Sequence, residues 1–386
     1  MEGATAGVGG APARRYPPWA GGALVALVLL AFIVLPSQLY GSQQRTWGAV
    51  FMFVVLAQGW NLIGGFAGYP SFGNVVFFGL GGYTTAVLMA KSGFSFWLAL
   101  PLAGLVGLSF AVLVGIPVLR LRGHYFAIAT LGVAEGMREV VVNLPGLTGG
   151  GAGLTVPAVG ANATTSYPGD DGFYYMFLAL AVIATLVVWL VARSRFGYAL
   201  RAIHQDEDAA GAMGINTTRA KIAAFAIAGG LTALAGATYA FQQVSIYPGR
   251  LFAVDITVLM VVMAVIGGAG TVIGPVIGAV ALQFLSEYLR DNVTDYHTFI
   301  FGAIIVVAVI LLPQGIVNFV RDARRKEGVS LLESVRAYRL LPRPCSRRGA
   351  SRDASAAWRR CRTSRSACNR AGCSASSGPT APARRP

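Results

Sequence analysis

Long apolar runs recur along the chain and alternate with short polar or glycine-rich segments. A helix needs about 20 predominantly apolar residues to cross a bilayer. The pattern predicts ten such spans, near Trp19–Pro36, Trp47–Gly65, Gly73–Ala90, Phe94–Leu119, Gly123–Val142, Phe173–Val191, Ala220–Gln242, Val254–Gly267, Val272–Leu289 and Thr298–Val317. The fold class that follows is an all-α, polytopic membrane helix bundle. Eight spans remain if both glycine-rich interruptions are re-entrant.

These two interruptions are the segments Gly64–Gly73 and Gly267–Gly270. Backbone groups freed by a broken helix must line a cavity or be buried in protein. The polar residues that flank the first break are therefore candidates for bounding a translocation path: Gln58, Asn61, Asn74 and Tyr83. Glycine-driven close packing of helices is the alternative explanation of the same pattern.

Composition agrees with a chain that lies mostly in lipid. Hydrophobic residues make up 55% of it and charged residues 12%, whereas soluble domains carry roughly 25% charged residues. The net charge of +15 is unevenly placed, because the chain up to Lys326 contributes +5 and the rest contributes +10. All four cysteines also lie beyond Lys326, so no disulfide is expected in the body. The body has no clustered basic face, which argues against nucleic-acid binding.

Charged loop residues predict the orientation. With the N-terminus in the cytoplasm, the inner segments carry 13 Lys or Arg residues and the outer segments carry 4. Cytoplasmic loops are enriched in Lys and Arg, so this assignment follows the positive-inside rule. The expected domains are a cytoplasmic segment 1–18, a transmembrane domain 19–320 with a cytoplasmic loop 192–219, and a tail 321–386.

The tail 321–386 is basic, lacks periodicity and is expected to be disordered. We also hypothesise that it is an out-of-frame reading of a neighbouring gene. With chosen G/C-rich codons, residues 352–386 shifted by one nucleotide can yield a segment ending in G-x-x-x-x-G-K-T, the pattern of a nucleotide-binding ATPase. The nucleotide sequence tests this hypothesis.

The loop 192–219 carries an amphipathic helical pattern. Its apolar positions are Ala199, Leu200, Ile203, Ala209, Ala210 and Met213. Gly214 ends the pattern as a C-terminal glycine cap would. Docking on a partner protein is favoured over lying on the membrane surface, because Asp206, Glu207 and Asp208 would be repelled by anionic headgroups.

Three charged residues lie inside the fifth predicted span, where charge is costly and suggests function. Glu135, Arg138 and Glu139 are spaced so that they share one helix face. They predict a polar patch near the external mouth that handles the head of a zwitterionic solute. The alternative is an ion pair that fastens neighbouring helices without touching a solute.

Nine segments of the chain carry a family resemblance: Gly59–Gly68, Ser71–Asn74, Phe77–Tyr83, Leu119–Gly132, Leu147–Gly150, Ser194–Ile203, Asp206–Asn216, Gly267–Thr271 and Leu312–Gly315. In this order, from about Trp47 to Val320, they resemble the permease family of branched-chain amino-acid ATP-binding-cassette (ABC) importers, in particular the LivM-type subunit.

The resemblance implies a bacterial inner-membrane subunit that translocates branched-chain amino acids by alternating access. It implies four kinds of partner: a second, LivH-like permease, two ATPases (LivG-like and LivF-like), an extracytoplasmic solute-binding protein and membrane lipid. It also implies that a cytoplasmic helix docks on the ATPase. The residues implied for that coupling are Asp206, Glu207, Asp208, Ala209, Ala210 and Gly214. The family pattern begins Glu-Ala-Ala where this chain has Asp208-Ala209-Ala210.

Other functions remain open at this stage. Permeases for urea and short amides are similar to this family, and a proton-coupled transporter using Glu135 or Glu139 is a rival of another class. A passive channel is a further rival, but it would have no use for the cytoplasmic helix. No catalytic residue, enzyme activity or cofactor is expected. The histidines lie far apart in the sequence, so no metal site is expected either.

Overall fold

The computed structural model describes residues 30–38, 41–157, 167–292, 296–311, 315–317 and 319. The α-helices are α1 (described over residues 30–34), α2 Gly41–Trp60, α3 Val75–Ser92, α4 Phe96–Val118, α5 His124–Val142, α6 Pro145–Thr148, α7 Gly169–Arg193, α8 Arg195–Gln205, α9 Glu207–Ala212, α10 Thr217–Gln243, α11 Pro248–Leu251, α12 Val254–Gly268, α13 Gly274–Asn292 and α14 His297–Leu311. Short 3-10 turns occupy Leu35–Gln38 and Gly150–Ala152, and a π-helix occupies Asn61–Phe66. The strands β1 Leu154–Thr155 and β2 Ser245–Ile246 form one antiparallel ladder.

This architecture confirms the predicted all-α bundle. Each predicted span from Trp47 onward coincides with a helix of the described chain. Within the described residues, six helical segments are long and apolar enough to cross a membrane: Gly41–Phe66, Val75–Ser92, Phe96–Val118, Gly169–Arg193, Thr217–Gln243 and Pro248–Gly268. The helices α5, α13 and α14 are shorter or more polar, so the figure of ten spans is approximate. The predicted segment 1–18, most of the first span and the tail 321–386 lie outside the described residues.

The helices α2 and α10 form the centre of the bundle. Helix α10 packs against α3, α4 and α2, while α2 also packs against α7 and α13. Small residues make this possible, because a Cβ atom built on Gly236 would lie 1.9 Å from the carbonyl oxygen of Phe78. A Cβ atom on Gly81 would lie 2.0 Å from the carbonyl oxygen of Ala233. The backbones of α3 and α10 therefore approach as closely as small-residue interfaces of membrane helices allow.

One detail of the predicted loop pattern needs correction. The pattern predicts a single helix through the loop 192–219, whereas the structure contains α8 and α9, separated at Asp206. Asp206 has an extended backbone, and its side-chain oxygen accepts hydrogen bonds from the backbone nitrogens of Asp208 and Ala209 at 2.9 and 3.0 Å. A short acidic side chain competes with helix continuation in this way and caps the next helix instead.

Candidate functional site

The first predicted break begins where α2 changes to π geometry at Asn61 and ends in the irregular segment before α3. Asn61 is fully buried and faces the turn between α12 and α13. Its side-chain Nδ2 donates to the carbonyl oxygen of Thr271 at 2.8 Å, and its Oδ1 accepts from the backbone nitrogen of Gly270 at 2.8 Å. Gln58 adds a third bond, from its Nε2 to the carbonyl oxygen of Val272 at 2.7 Å. Two predicted path residues thus fasten the two broken regions to each other.

Gly65 explains why the two breaks can approach so closely. A Cβ atom at this position would lie 2.0 Å from Oδ1 of Asn61 and 2.5 Å from the backbone nitrogen of Gly270. Any larger residue would push the π-helix away from the turn and break the Asn61 bonds. We call the contact of Gln58, Asn61 and Gly65 with residues 270–272 the glycine clamp.

The other two predicted path residues, Asn74 and Tyr83, are buried but do not join the glycine clamp. Within the described part of the chain, neither polar atom of the Asn74 side chain has a hydrogen-bond partner, and the Tyr83 hydroxyl has none. The Tyr83 ring stacks on Phe252 at a centroid distance of 6.1 Å. Leaving a buried polar group unpaired costs about 1–3 kcal/mol. These side chains therefore retain hydrogen-bonding capacity inside the bundle.

The three charged residues of α5 form a local cluster. The Arg138 guanidinium bonds Glu135 at 2.7 Å through Nε and Glu139 at 2.8 Å through an Nη nitrogen. Side-chain exposure is 45% for Glu135, 36% for Arg138 and 55% for Glu139, so the cluster lies on the surface of this subunit. Both bonds lie within α5, and neither joins it to another helix. A charged face on a membrane helix must meet water or protein rather than lipid.

The coupling residues that the resemblance implies divide into an inner and an outer set. Ala210 is buried against the bundle, and Glu207 is turned inward with a side-chain exposure of 15%. Ala209 and Gly214 face outward, and Gly214 has a φ of +86°, which glycine adopts without strain. The neighbouring Met213 is 84% exposed.

Glu207 is the centre of a network that sequence reasoning missed. Its Oε1 accepts from Lys221 Nζ at 2.6 Å, and its Oε2 accepts from the hydroxyl of Tyr69. Lys221, whose side chain is only 4% exposed, also donates to the carbonyl oxygen of Leu119 at 3.1 Å. Arg122 Nε lies 3.6 Å from Glu207 Oε2. We call Glu207, Tyr69, Arg122 and Lys221 the latch, since it joins α9 to three other segments.

The latch sets the charge state of its members. Burial alone would raise the pKa of Glu207, but the hydrogen bonds from Lys221 and Tyr69 outweigh it and lower that pKa. Burial and the bond to Glu207 raise the pKa of Tyr69. Arg122 also binds Asp208 through two bonds of 2.9 and 3.1 Å and lowers the pKa of that carboxyl group. Glu207 and Asp208 are thus held by cations of their own chain.

Helix α8, which lies in the loop 192–219, contacts the π-helix of the glycine clamp. His204 Nδ1 lies 3.0 Å from the carbonyl oxygen of Gly65, within hydrogen-bond distance. The Arg201 guanidinium lies over the ring of Phe66, 5.2 Å from its centroid. The loop therefore contacts the same π-helix that contacts residues 270–272.

Within the described ranges, no group of three or more His, Cys, Asp or Glu side chains is placed to hold a metal ion.

Comparisons with known proteins agree with this architecture. A family model described as the permease component of branched-chain amino acid transport systems matches residues 45–309. The high-affinity branched-chain amino acid transport permease LivM of Salmonella typhimurium is 33% identical over 294 residues, covering 70% of this chain and 68% of the relative. Escherichia coli LivM is 31% identical over 322 residues, covering 77% and 75%.

A more distant relative is archaeal. The probable LivM permease of Methanocaldococcus jannaschii is 23% identical over 278 residues, covering 63% of this chain and 80% of the relative. No solved structure matches the chain. The family consists of transport permeases, and the six apolar helices agree with a multi-pass inner-membrane protein. The chain belongs to the family of permease components of branched-chain amino acid ABC transport systems.

Proposed function

We propose that this subunit translocates hydrophobic, branched-chain amino acids by alternating access, driven by partner ATPases that dock on α8 and α9. A second permease subunit completes the path, and an extracytoplasmic binding protein delivers the solute. The observation that carries the proposal is the latch, because it connects an exposed helix to several segments of the bundle. The names of the relatives support the substrate class.

The exposed face of α9 is suited to a protein cleft. Ala209 and Gly211 are small and exposed, and Met213 projects almost fully from the surface. Small residues allow close approach, and an exposed methionine adapts to irregular surfaces. Glu207 and Asp208 are held by Lys221 and Arg122, so we infer that they orient α9 rather than bind the ATPase directly.

The bundle contains a physical route for the coupling. A displacement of α8 or α9 pulls on Tyr69 through Glu207 and on Gly65 through His204. Gly65 lies against the turn that Asn61 holds. Short π-helices are frequent at functional sites of longer helices. We infer that the glycine clamp is the element whose two arrangements distinguish the inward and outward states.

The solute path is proposed from the remaining polar groups. Asn74 and Tyr83 retain unpaired polar atoms, and the α5 cluster presents both charges that a zwitterion would meet. Urea and short amides lack that charge pair, so the α5 cluster favours amino acids. The alternative function remains a urea or amide permease. A panel of solutes distinguishes amino-acid transport from urea or amide transport.

The test is uptake into proteoliposomes that contain the purified transporter with its ATPases and binding protein. Leucine, isoleucine, valine and urea are compared with ATP present, with ATP withheld and with a proton ionophore. ATP-dependent leucine uptake that survives the ionophore is expected. Uptake that needs no ATP but collapses with the proton gradient would instead identify a secondary transporter.

A variant pair tests the docking surface. Replacing exposed Ala209 by tryptophan should reduce co-purification with the ATPase while leaving the permease folded. Ala90→Trp is the matched control, because Ala90 is an exposed alanine near the end of α3. The next residue, Lys91, contacts Gly146 of α6 rather than the loop that carries α8 and α9. Equal ATPase recovery with both variants would contradict the docking assignment.

A further inference from the structure

A cavity of about 460 Å³ lies at the end of the bundle away from the loop that carries α8 and α9. Its lining comes from the start of α2, the start of α7 and the last turns of α13. Asp170 stands at the first turn of α7, and Arg193 stands at the last turn, where the loop begins. At 1.5 Å per residue, these ends of α7 are roughly 35 Å apart. With the loop in the cytoplasm, the cavity therefore opens on the extracytoplasmic side.

The cavity is lined by charges of both signs. Arg45 Nε donates to Asp170 Oδ1 at 2.9 Å, and an Nη nitrogen of Arg290 lies 3.5 Å from Glu287 Oε2. Both arginine side chains keep more than half of their surface exposed. The lining therefore offers two guanidinium groups and two carboxylates that balance each other. A ligand with one net charge would be attracted and repelled about equally, whereas a ligand with separated opposite charges would be bound at both ends.

Gln283 provides the second observation. This residue is 91% buried, lines the cavity, and makes no side-chain hydrogen bond to any described residue. The amide of Gln283 opens to the cavity, so its donor and acceptor atoms are both available to a ligand. The cavity therefore has, in its wall, an amide that no described side chain or backbone group occupies.

Aromatic residues indicate the depth of the cavity in the membrane. Trp47 packs edge-on against Phe284 at a centroid distance of 4.8 Å, and Tyr288 on the same helix is 65% exposed. Tryptophan and tyrosine are enriched at the level of the lipid headgroups. We propose that this cavity, built around Gln283, Arg45 and Asp170, is a binding site for a small zwitterion that carries an anionic group and a primary ammonium group.

Two sources can supply that chemistry: a free amino acid and the headgroup of phosphatidylethanolamine. The proposal is independent of the ATPase coupling, because the cavity shares no residue with the latch or the glycine clamp. It also differs from the α5 cluster, since no α5 residue lines the cavity.

The experiment uses the full chain in complex with its partners, in nanodiscs. One arm adds phosphatidylethanolamine or phosphatidylglycerol to phosphatidylcholine discs and counts retained lipids by native mass spectrometry. The other arm titrates labelled leucine into discs of phosphatidylcholine alone. The variants are Gln283→Leu and Arg45→Gln, with Gln243→Leu as control, because Gln243 is an exposed glutamine at the end of α10 that does not line the cavity.

We expect Gln283→Leu and Arg45→Gln to weaken binding about tenfold, the effect of losing one hydrogen bond to a charged group. The control should bind as the unmodified chain does. Retention of phosphatidylethanolamine identifies the lipid as the source, and Gln283-dependent leucine binding identifies the free solute. The proposal would be overturned if neither variant changed binding, or if neither probe bound. It would also be overturned if phosphatidylglycerol were retained as well as phosphatidylethanolamine. Unchanged thermal stability of the variants shows that lost binding is not lost folding.

Discussion

The latch and the α5 cluster are both made of carboxylates and cations. They differ in burial and in whether their ion pairs join separate segments or stay within one helix. In the latch, Lys221 is almost fully buried and bonds groups on three other segments. In the α5 cluster, Arg138 is partly exposed, and its two ion pairs are with Glu135 and Glu139 of the same helix. A buried ion pair between elements fixes their relative position, whereas a local pair on an exposed face adds little stability. The latch therefore fixes the position of α9 on the bundle, with coupling as its proposed role, whereas the α5 cluster is a charged surface that must meet water or protein.

The largest effect should come from removing the buried cation of the latch. Lys221→Met removes the buried ammonium group that bonds Glu207 Oε1 and the carbonyl oxygen of Leu119, so we expect a loss of about 3–5 kcal/mol in the free energy of unfolding. Unfolding of the purified subunit in detergent measures it. Arg219→Met, an exposed change two residues earlier, is the control. A Lys221→Met variant as stable as this control would remove the distinction between the two clusters.

A smaller loss is expected at the glycine clamp. The added methyl group of Gly65→Ala would collide with Asn61 Oδ1, so we expect destabilisation of about 1–3 kcal/mol and slower ATP-driven uptake. Gly136→Ala on α5 is the matched control, because a Cβ atom there meets nothing within 4 Å. Measuring unfolding and uptake of both variants tests the idea. If both variants unfolded and took up solute alike, the contact between the two glycine-rich breaks would tolerate an added methyl group without loss of stability or transport.

The pH dependence of stability should reveal the latch as well. The pKa of Glu207 is lowered in the folded protein from its ordinary value near 4.5. Its contribution is therefore fully present above that value and is lost as the pH falls through the lower folded pKa. The stability difference between the unmodified chain and Glu207→Gln should be large at neutral pH and shrink in acid. Thermal unfolding at a series of pH values measures it, and a difference that grows in acid would contradict the assignment.

The smallest effect on stability is expected for the α5 cluster. Arg138→Gln breaks two local ion pairs on an exposed face, so the midpoint of thermal unfolding should hardly change. Leucine uptake by the complete transporter should nevertheless fall if this face meets the solute or the second subunit. A large drop in the unfolding midpoint would show that α5 depends on its charges for folding. Unchanged uptake would remove the cluster from the path.

Much of the architecture could be predicted from the sequence alone. Apolar runs of span length predict membrane helices because the bilayer sets their length, and each run from Trp47 onward overlaps a helix of the described residues. The glycine-rich breaks and the glycine that ends the loop pattern also reflect local rules of backbone conformation. The division of the loop at Asp206 was missed, because the helical period continues across it while a side-chain cap interrupts the backbone.

Local patterns could not predict which polar groups would meet. Asn61 bonds residues more than 200 positions away, and Lys221 finds its partners on three separate segments. One sequence signal for the latch existed: a lone lysine beside buried alanines of α10 requires an anionic partner. The sequence by itself determined the helices, their breaks and the family, since these follow from hydrophobicity and short motifs. Only the tertiary structure decided that Glu207 turns inward and Gln283 faces a cavity, because pairing across a bundle depends on how distant helices pack.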